Sequence, residues 1–330
     1  MMEMKAFVHE FGELCTKEVQ EPVAGIGEVV VKLRTAGLNR RDLYIPNRRG
    51  VEADTLVLGS DGAGIVETIG EGVTNVSIGD EVIINPALGW EKNSDTAPKG
   101  FDILGMPDHG TFAEKIVISS EQVELKPKHL SWEEAGVLAL SALTGYRALF
   151  TKGNIKEGET VFIPGAGSGV ATYLISFAKN IGARVIVTSR SEKKRQQSIE
   201  LGADIALDTN SDWKKDLKDE TIELVIDSVG QATFNRSLEV LKKGGRIVVF
   251  GATTEDTVEL DLRNFFYGQY QLLGSTMGSR EELREMIAHI EKYETRPVVD
   301  QTFTLDNANE AFDYLEKSKN FGKVAFRISE

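Results

Sequence analysis

The chain has 330 residues, and its 38 Lys and Arg against 51 Asp and Glu give a net charge of −13, which argues against binding to nucleic acid. Its length predicts two domains, while its single cysteine, Cys15, excludes an intramolecular disulfide and a thiolate-rich metal site. We expect a cytoplasmic, globular protein without membrane partners, because neither a signal peptide nor an apolar run of ~20 residues is visible.

The first 120 residues predict a β-rich domain. Strands are expected at Met4–His9, Glu28–Arg34, Ala63–Ile69 and Glu81–Asn85. Many short strands with frequent glycine are typical of a twisted, barrel-like sheet. The long segment from Pro86 to Gly110 is rich in turn residues and predicts a functional or mobile loop.

The middle of the chain predicts a parallel sheet covered by helices. Ser131 and Glu134 have the spacing of a capping box, which predicts a helix running toward Phe150. Further on, strands at Thr160–Ile163, Arg184–Thr188, Leu224–Ile226 and Arg246–Phe250 alternate with helices at Val170–Ile181, Glu192–Leu201 and Ala232–Leu241. This alternation indicates an α/β domain whose sheet is buried on both faces.

The end of the chain returns to mixed structure. Helices are expected at Leu283–Tyr293 and from Asp306 or Asn307 to about Lys317, with a closing strand at Lys323–Ile328. We therefore predict a Rossmann-type nucleotide-binding domain at residues 124–265. The β-rich domain would combine residues 1–123 and 266–330.

A glycine-rich turn follows the first strand of the predicted parallel sheet. Gly165, Gly167, Ser168, Gly169 and Val170 would present backbone N–H groups and a helix N-terminus to a pyrophosphate. The spacing departs from G-x-G-x-x-G, because the third glycine would fall at Val170. The alternative is an ordinary tight turn between strand and helix.

The end of the next strand bears on which nicotinamide nucleotide is bound. An acid at this point would hold the 2′-hydroxyl of NAD, but the chain has Ser189 and Arg190, with Lys194 nearby. These side chains can bind a 2′-phosphate through charge-assisted hydrogen bonds, so we predict NADPH as the cofactor. The alternative is that Ser191 caps the following helix and Arg190 is only solvated.

Six motifs in order make the chain resemble the medium-chain dehydrogenase/reductase superfamily, in particular its zinc-independent quinone oxidoreductase-like branch. They are residues 36–44 (AGLNRRDLY), 59–64 (GSDGAG), 143–149 (LTGYRAL), the glycine-rich turn, 227–230 (DSVG) and 320–324 (NFGKV). The resemblance implies that the β-rich domain is a GroES-like catalytic domain. It also suggests a homodimer joined through the nucleotide-binding domains.

The resemblance also implies site residues. The resembling enzymes have an Asn-x-x-Asp-x-Tyr segment that faces the nicotinamide, and Asn39, Asp42 and Tyr44 match it. We hypothesise that Asn39 and Tyr44 orient the substrate or donate to its developing oxyanion while Asp42 fixes the loop; Tyr44 could instead pack beneath an arginine. The implied cofactor contacts, each of which could instead be core or solvated, are Thr144, Val229, Gly251, Ala252, Ser275 and Lys323, with Lys323 expected near the phosphates.

A metal ion is not expected. Zinc-dependent members of the superfamily have a cysteine and a histidine at the positions of Asn39 and Ser60, and a neutral amide and a hydroxyl do not replace them. Without zinc, alcohol oxidation lacks its Lewis acid, so we predict hydride transfer from NADPH to a quinone or an α,β-unsaturated carbonyl. A metal-assisted alcohol dehydrogenase and a non-catalytic NADPH-binding protein are the alternatives.

Overall fold

The computed structural model describes residues 2–329, which form two compact units. One comprises Met1–Leu143 with Gly278–Glu330, and the other comprises Thr144–Met277. The boundaries between the units, 143/144 and 277/278, lie later in the chain than the predicted boundaries, 123/124 and 265/266. Residues just beyond 123 join the first unit because they bond to its sheet: the Thr35 hydroxyl donates to the carbonyl of Trp132 at 2.5 Å.

The strands are β1 Glu3–Glu10, β2 Glu13–Gln20, β3 Glu28–Leu38, β4 Leu56–Val57, β5 Asp61–Ile69, β6 Glu81–Ile84, β7 Ala87–Leu88, β8 Asp102–Ile103, β9 Lys115–Ser119, β10 Val123–Leu125, β11 Thr160–Ile163, β12 Arg184–Ser189, β13 Ile205–Asp208, β14 Ile222–Asp227, β15 Leu241–Val249, β16 Gln271–Gly274, β17 Val299–Thr304 and β18 Lys323–Arg327.

The α-helices are α1 Ile45–Arg49, α2 Trp132–Gly136, α3 Ala139–Tyr146, α4 Gly169–Asn180, α5 Glu192–Leu201, α6 Trp213–Asp216, α7 Gln231–Val240, α8 Leu262–Gly268, α9 Arg280–Tyr293 and α10 Ala308–Glu316. Three 3₁₀ turns are Arg40–Tyr44, Ser120–Gln122 and Leu305–Asn307, and Arg147–Lys152 is π-helical. No helix within residues 2–329 is both long enough and apolar enough to cross a membrane.

The first unit is built around strand β3. In its main sheet the strands follow the order β10-β6-β5-β3-β18-β17, and β9 also pairs with β3. The C-terminal strand β18 is antiparallel to β3, with Val324 opposite Leu38, and β5 lies on the other side, with Asp61 opposite Gly37. An aromatic cluster that includes Phe112 and Phe326 is buried beneath this sheet.

The second unit is a six-stranded parallel sheet in the order β13-β12-β11-β14-β15-β16. Strands β11, β12 and β14 are buried along almost their whole length, as their apolar sequences require. Edge strand β16 pairs in register with β15, which is why residues 266–277 belong to this unit. A parallel α/β sheet in one unit and a β-rich sheet in the other confirm the predicted fold class.

Candidate active site

The register of three neighbouring strands brings distant residues together in the first unit. Asn39 directly follows β3, Asp61 begins β5, and Lys323 begins β18. Because Gly37 pairs with Asp61 and Leu38 pairs with Val324, the side chains of these three residues meet at one end of the sheet. Gly37 is required here, since a Cβ at this position would lie 2.8 Å from the carbonyl oxygen of Gly136.

The amide of Asn39 is bonded on both sides. Its Nδ2 donates to Oδ2 of Asp61 at 2.9 Å and to the carbonyl of Gly37 at 3.3 Å. Its Oδ1 accepts from Nζ of Lys323 at 2.5 Å and from Oγ of Ser141 at 3.2 Å. Both N–H groups of Asn39 are therefore engaged, so donation to a substrate oxyanion, which we hypothesised, would require one of these bonds to break.

The Lys323 ammonium lies among oxygen atoms and is only 3% exposed. Besides Asn39, it donates to Oγ of Ser141 at 3.0 Å and to Oδ2 of Asp61 at 3.4 Å. Burial lowers the pKa of Lys323, and the nearby carboxylates of Asp61 and Asp42 oppose this shift. Its contact with cofactor phosphates stays a prediction, whereas these three oxygen partners account for every hydrogen of the ammonium.

Asp42 fixes the backbone after β3. Its Oδ2 accepts from the backbone N–H of Asn39 at 2.8 Å, so it holds the loop in the way that the sequence suggested. The other oxygen, Oδ1, is buried without a hydrogen-bond partner, and the nearest cation, Nη1 of Arg41, is 3.9 Å away. Burial raises the pKa of Asp42 to about 6, although Arg41 and the bond from Asn39 oppose this shift.

Tyr44, the third residue of the predicted segment, ends the 3₁₀ turn and does not join this network. Its side chain is 44% exposed. The neighbouring Arg40 is directed elsewhere, since its guanidinium donates to Oγ of Ser318 at 2.8 Å and to the carbonyl of Leu315. Tyr44 therefore stands as an accessible hydroxyl beside the buried cluster, and its role in substrate binding stays a prediction.

Two residues of the cluster, Asp61 and Ser141, had no role in the sequence interpretation. Asp61 lies in the glycine-rich motif of β5, where an acid in a buried strand was an available signal. Ser141 lies in the apolar helix α3 and offered no comparable signal, because its partners Asn39 and Lys323 are distant in the chain.

Asn39 and Ser60 occupy the positions of two zinc ligands in zinc-dependent members of the superfamily, and their side chains do not fit that metal. The Asn39 oxygen faces the Lys323 ammonium, and Oγ of Ser60 accepts from the guanidinium of Arg41 at 2.6 Å. A cation beside each donor opposes a second positive charge. Within the described residues, no group of three His, Cys, Asp or Glu side chains is arranged to hold a metal ion.

The glycine-rich turn of the second unit is shaped for a close backbone approach. Gly165 and Gly167 have φ values of +80° and +107°, which favour glycine. The turn is held by β12, since the N–H groups of Gly165 and Ala166 donate to Thr188. A Cβ on Gly165 would lie 2.7 Å from the side chain of Val229.

Helix α4 begins at the end of this turn. The hydroxyl of Ser168 caps the helix by accepting from the N–H of Ala171 at 3.1 Å. Gly169 and Val170 form the first turn, where N–H groups have no acceptor within the helix. The residues predicted to bind a pyrophosphate are thus brought together at a helix N-terminus, which favours an anion.

Of the two basic side chains predicted near a 2′-phosphate, that of Lys194 lies next to this turn. The Lys194 side chain passes Gly167, where a Cβ would lie 2.8 Å from Cδ of Lys194. Arg190 is exposed at the end of β12, and Arg195, which the sequence interpretation missed, donates to the carbonyl of Ser189 at 2.8 Å.

The alternative for Ser191 is also realised, because its hydroxyl caps α5 by accepting from the N–H of Lys194 at 3.3 Å. Capping uses only the backbone of Lys194. The side chain of Lys194 lies beside the glycine turn.

The other predicted cofactor residues lie in several places. Val229 follows β14, Gly251 and Ala252 follow β15, and Ser275 follows β16, at the carboxyl ends where open parallel sheets bind ligands. The Ser275 hydroxyl is buried without a hydrogen-bond partner. Thr144 lies in α3 and is nearly buried, so the sheet does not bring it together with the other four.

Comparisons with known proteins agree with this architecture. Residues 25–128 match the family model of the alcohol dehydrogenase GroES-like domain, and residues 169–292 match that of the zinc-binding dehydrogenase. The zinc-type alcohol dehydrogenase-like protein YogA of Leptosphaeria maculans is 32% identical, over 94% of this chain and 93% of its own. Acryloyl-coenzyme A reductase of Metallosphaera sedula is 31% identical, over 93% and 94% of the two chains.

Among solved structures, an NAD-dependent alcohol dehydrogenase is similar over 99% of this chain and 100% of its own, with a TM-score of 0.91 and 34% identity. The relatives therefore include both alcohol dehydrogenases and a reductase of a conjugated thioester. The motifs, the two family models and these relatives agree. The chain belongs to the medium-chain dehydrogenase/reductase superfamily, a family of oxidoreductases.

Proposed function

We propose that this oxidoreductase transfers a hydride from NADPH to a quinone or an α,β-unsaturated carbonyl compound without zinc. The observation that carries the proposal is the Lys323 ammonium bonded to Asn39 Oδ1, at a position where zinc-dependent relatives have a ligand. The positive charge at this site is therefore carried by the Lys323 side chain and not by a metal ion. Such a charge can stabilise a developing oxyanion, while it lacks the open coordination position that activates an alcohol.

The second unit supports the cofactor assignment. The glycine turn and the N-terminus of α4 would hold the pyrophosphate, and Lys194 beside Gly167 would bind the 2′-phosphate. When bound, the reduced nicotinamide supplies the hydride. The side chains of Lys194 and Arg190 add positive charge near Ser189, where an NAD-specific site would carry an acid. Arg195 bonds to the Ser189 carbonyl and, at 3.4 Å, to Asp208 on the neighbouring strand.

The choice of a conjugated acceptor follows from what the chain can supply. Addition of hydride to a conjugated carbon moves negative charge to an oxygen several bonds away, and the protein must stabilise that charge and deliver a proton. The first unit offers hydroxyl groups and an ammonium for this purpose. The similarity to an acryloyl-coenzyme A reductase is consistent with an acceptor of this kind.

We also propose that two copies associate through edge strand β16. The edge of a sheet presents unpaired backbone groups that can pair with another strand. Leu272 of β16 and Phe266 and Tyr267 of α8 are exposed large apolar side chains. Pairing of two β16 strands would bury backbone groups and apolar area together.

Steady-state assays test the proposed reaction. Oxidation of NADPH and NADH is followed with 9,10-phenanthrenequinone, 1,4-benzoquinone and simple enones, with 1,10-phenanthroline or its non-chelating 1,7 isomer present. We expect NADPH-dependent turnover that is equal with both isomers. Activity lost only with the chelating isomer supports a metal-assisted dehydrogenase, and tight NADPH binding without turnover on any acceptor supports a non-catalytic role.

A further inference from the structure

Burial of Lys323 demands an explanation. Lysine is almost never buried without a partner, because loss of water disfavours its ammonium form. Its carboxylate partner, Asp61, is 3.4 Å away, whereas its closer partners are the neutral amide oxygen of Asn39 at 2.5 Å and the hydroxyl of Ser141 at 3.0 Å. The ammonium is thus paired with one carboxylate and lies closest to two neutral oxygen atoms, which its charge polarises.

Ser141 is the partner that can redirect a proton. Its hydroxyl accepts from Lys323 and donates to Oδ1 of Asn39 at 3.2 Å. Because Lys323 also donates to that same oxygen, Ser141 can turn its proton to another acceptor without leaving Asn39 Oδ1 unpaired in the interior. The amide N–H groups of Asn39 lack this freedom, since Asp61 and Gly37 accept both.

We propose that Ser141 donates the hydrogen bond, and then the proton, to the oxygen of the conjugated substrate, and that Lys323 polarises and reprotonates the Ser141 hydroxyl. This proposal rests on the proposed function and names its proton donor. Ser141 is then a catalytic residue that touches the reacting oxygen, while Lys323 acts through it as a positioning and proton-supplying residue.

The steps balance for a quinone and for an enone. Bound NADPH would be oxidised to NADP⁺ as its C4–H bond breaks and the hydride forms a C–H bond at the conjugated carbon. The adjacent π pair would shift, and the carbonyl π pair would become a lone pair on oxygen. The Ser141 O–H bond breaks as its proton moves to that oxygen, and a Lys323 N–H bond breaks to restore the hydroxyl. Lys323 is left as a neutral amine, which takes a proton from water before the next turnover.

The charges around Lys323 suit this cycle. Asp61 of β5 and Asp42 of the 3₁₀ turn favour its protonated form, while burial lowers its pKa and eases loss of the proton. Arg41, 3.9 Å from Asp42, offsets part of the negative charge on that side. Turnover should therefore fall as the pH rises through the pKa of Lys323.

Replacement of Ser141 by alanine is the primary test, because it removes one buried oxygen atom and little volume. In Ser141→Ala, kcat for the best acceptor in the panel should fall roughly 100-fold with little change in KM, as for loss of an oxyanion donor. In Lys323→Met, kcat should fall similarly, and its decline at alkaline pH should disappear. A merely structural role would change KM and stability without removing that limb of the pH profile.

Lys126→Met is the matched control. Lys126 is another shielded lysine of the first unit, whose Nζ donates to the carbonyl of Leu130 at 2.9 Å outside this network. The kcat and the pH profile of the Lys126→Met variant should equal those of the wild type. Ser141→Ala with kcat within twofold of wild type and an unchanged pH profile overturns the inference, even if Lys323→Met does not fold.

The proposed function is tested separately from the assignment of Ser141 as proton donor. Wild-type turnover of NADPH with the acceptor panel decides it, whatever the variants do. Wild-type activity together with unaffected Ser141→Ala refutes only the proton donor, whereas a wild-type enzyme inert toward every acceptor refutes the proposed function and this inference with it.

Discussion

Replacement of Asp42 by asparagine should stabilise the protein in a pH-dependent way. Asp42 is fully buried, and its pKa is raised from 3.8 to about 6, mainly by burial. Between these values the folded protein keeps a proton that the unfolded chain has lost, so the free energy of unfolding of the wild type falls as pH rises through this window. At 1.36 kcal/mol per pKa unit, the full penalty above pH 6 is about 3 kcal/mol.

Asparagine keeps an oxygen that can accept from the backbone N–H of Asn39 and carries no charge. About 2 kcal/mol of the penalty should develop between pH 4.5 and 8, so the stability gain of Asp42→Asn should grow by that amount over this range. Urea unfolding followed by tryptophan fluorescence measures it, with Asp102→Asn as an exposed control that should parallel the wild type. If the free energies of unfolding of Asp42→Asn and wild type differ by the same amount at pH 4.5 and at pH 8, the reasoning is refuted.

Three further changes test other parts of the structure. Lys194→Met should weaken binding of NADPH about tenfold or more in calorimetric titration and leave NADH binding unchanged, and equal losses for both nucleotides would contradict a 2′-phosphate contact. Gly37→Ala should lower the free energy of unfolding by about 1–3 kcal/mol, because the added Cβ would lie 2.8 Å from the Gly136 carbonyl oxygen. An unchanged denaturation midpoint would argue against this close packing. Leu272→Glu should convert the proposed dimer to a monomer in size-exclusion chromatography with light scattering, and an unaltered mass would point to another interface.

Elements with a clear local pattern were predictable from the sequence. Strand β11 and helix α5 have the predicted bounds, because an apolar run defines the strand and the Ser191 cap and the left-handed Gly202 mark the two ends of the helix. The single helix predicted from Ser131 toward Phe150 is wrong. It is divided after Gly136, which packs so tightly on β3 that a Cβ would lie 2.2 Å from Oγ1 of Thr35.

Strand β2 was missed for a different reason. Its sequence, ELCTKEVQ, has polar side chains on both faces, and the strand forms through its backbone pairing with β1 in full register. The predicted return to mixed structure near the C-terminus was correct, whereas strand β16 gave no signal because four residues at a sheet edge carry too little pattern.

The site was predictable only where its residues are close in sequence. Asn39 and Asp42 were recognisable together because they lie three positions apart in one motif. The Lys323 contact depends on the pairing of Val324 with Leu38, which aligns two strands from opposite ends of the chain. Local propensity carries no information about such a register, so Lys323 was assigned to phosphates and Ser141 to no role.

The position of β18 has a consequence for the newly made protein. Lys323 and Asn39 are separated by 284 positions, so the buried cluster cannot assemble until the segment that contains Lys323 has left the ribosome. The segment Thr144–Met277, by contrast, is continuous, and its parallel sheet can close earlier. A nascent chain can therefore complete its parallel sheet before Asp61 pairs with Lys323, and the buried cluster forms only when β18 is in place.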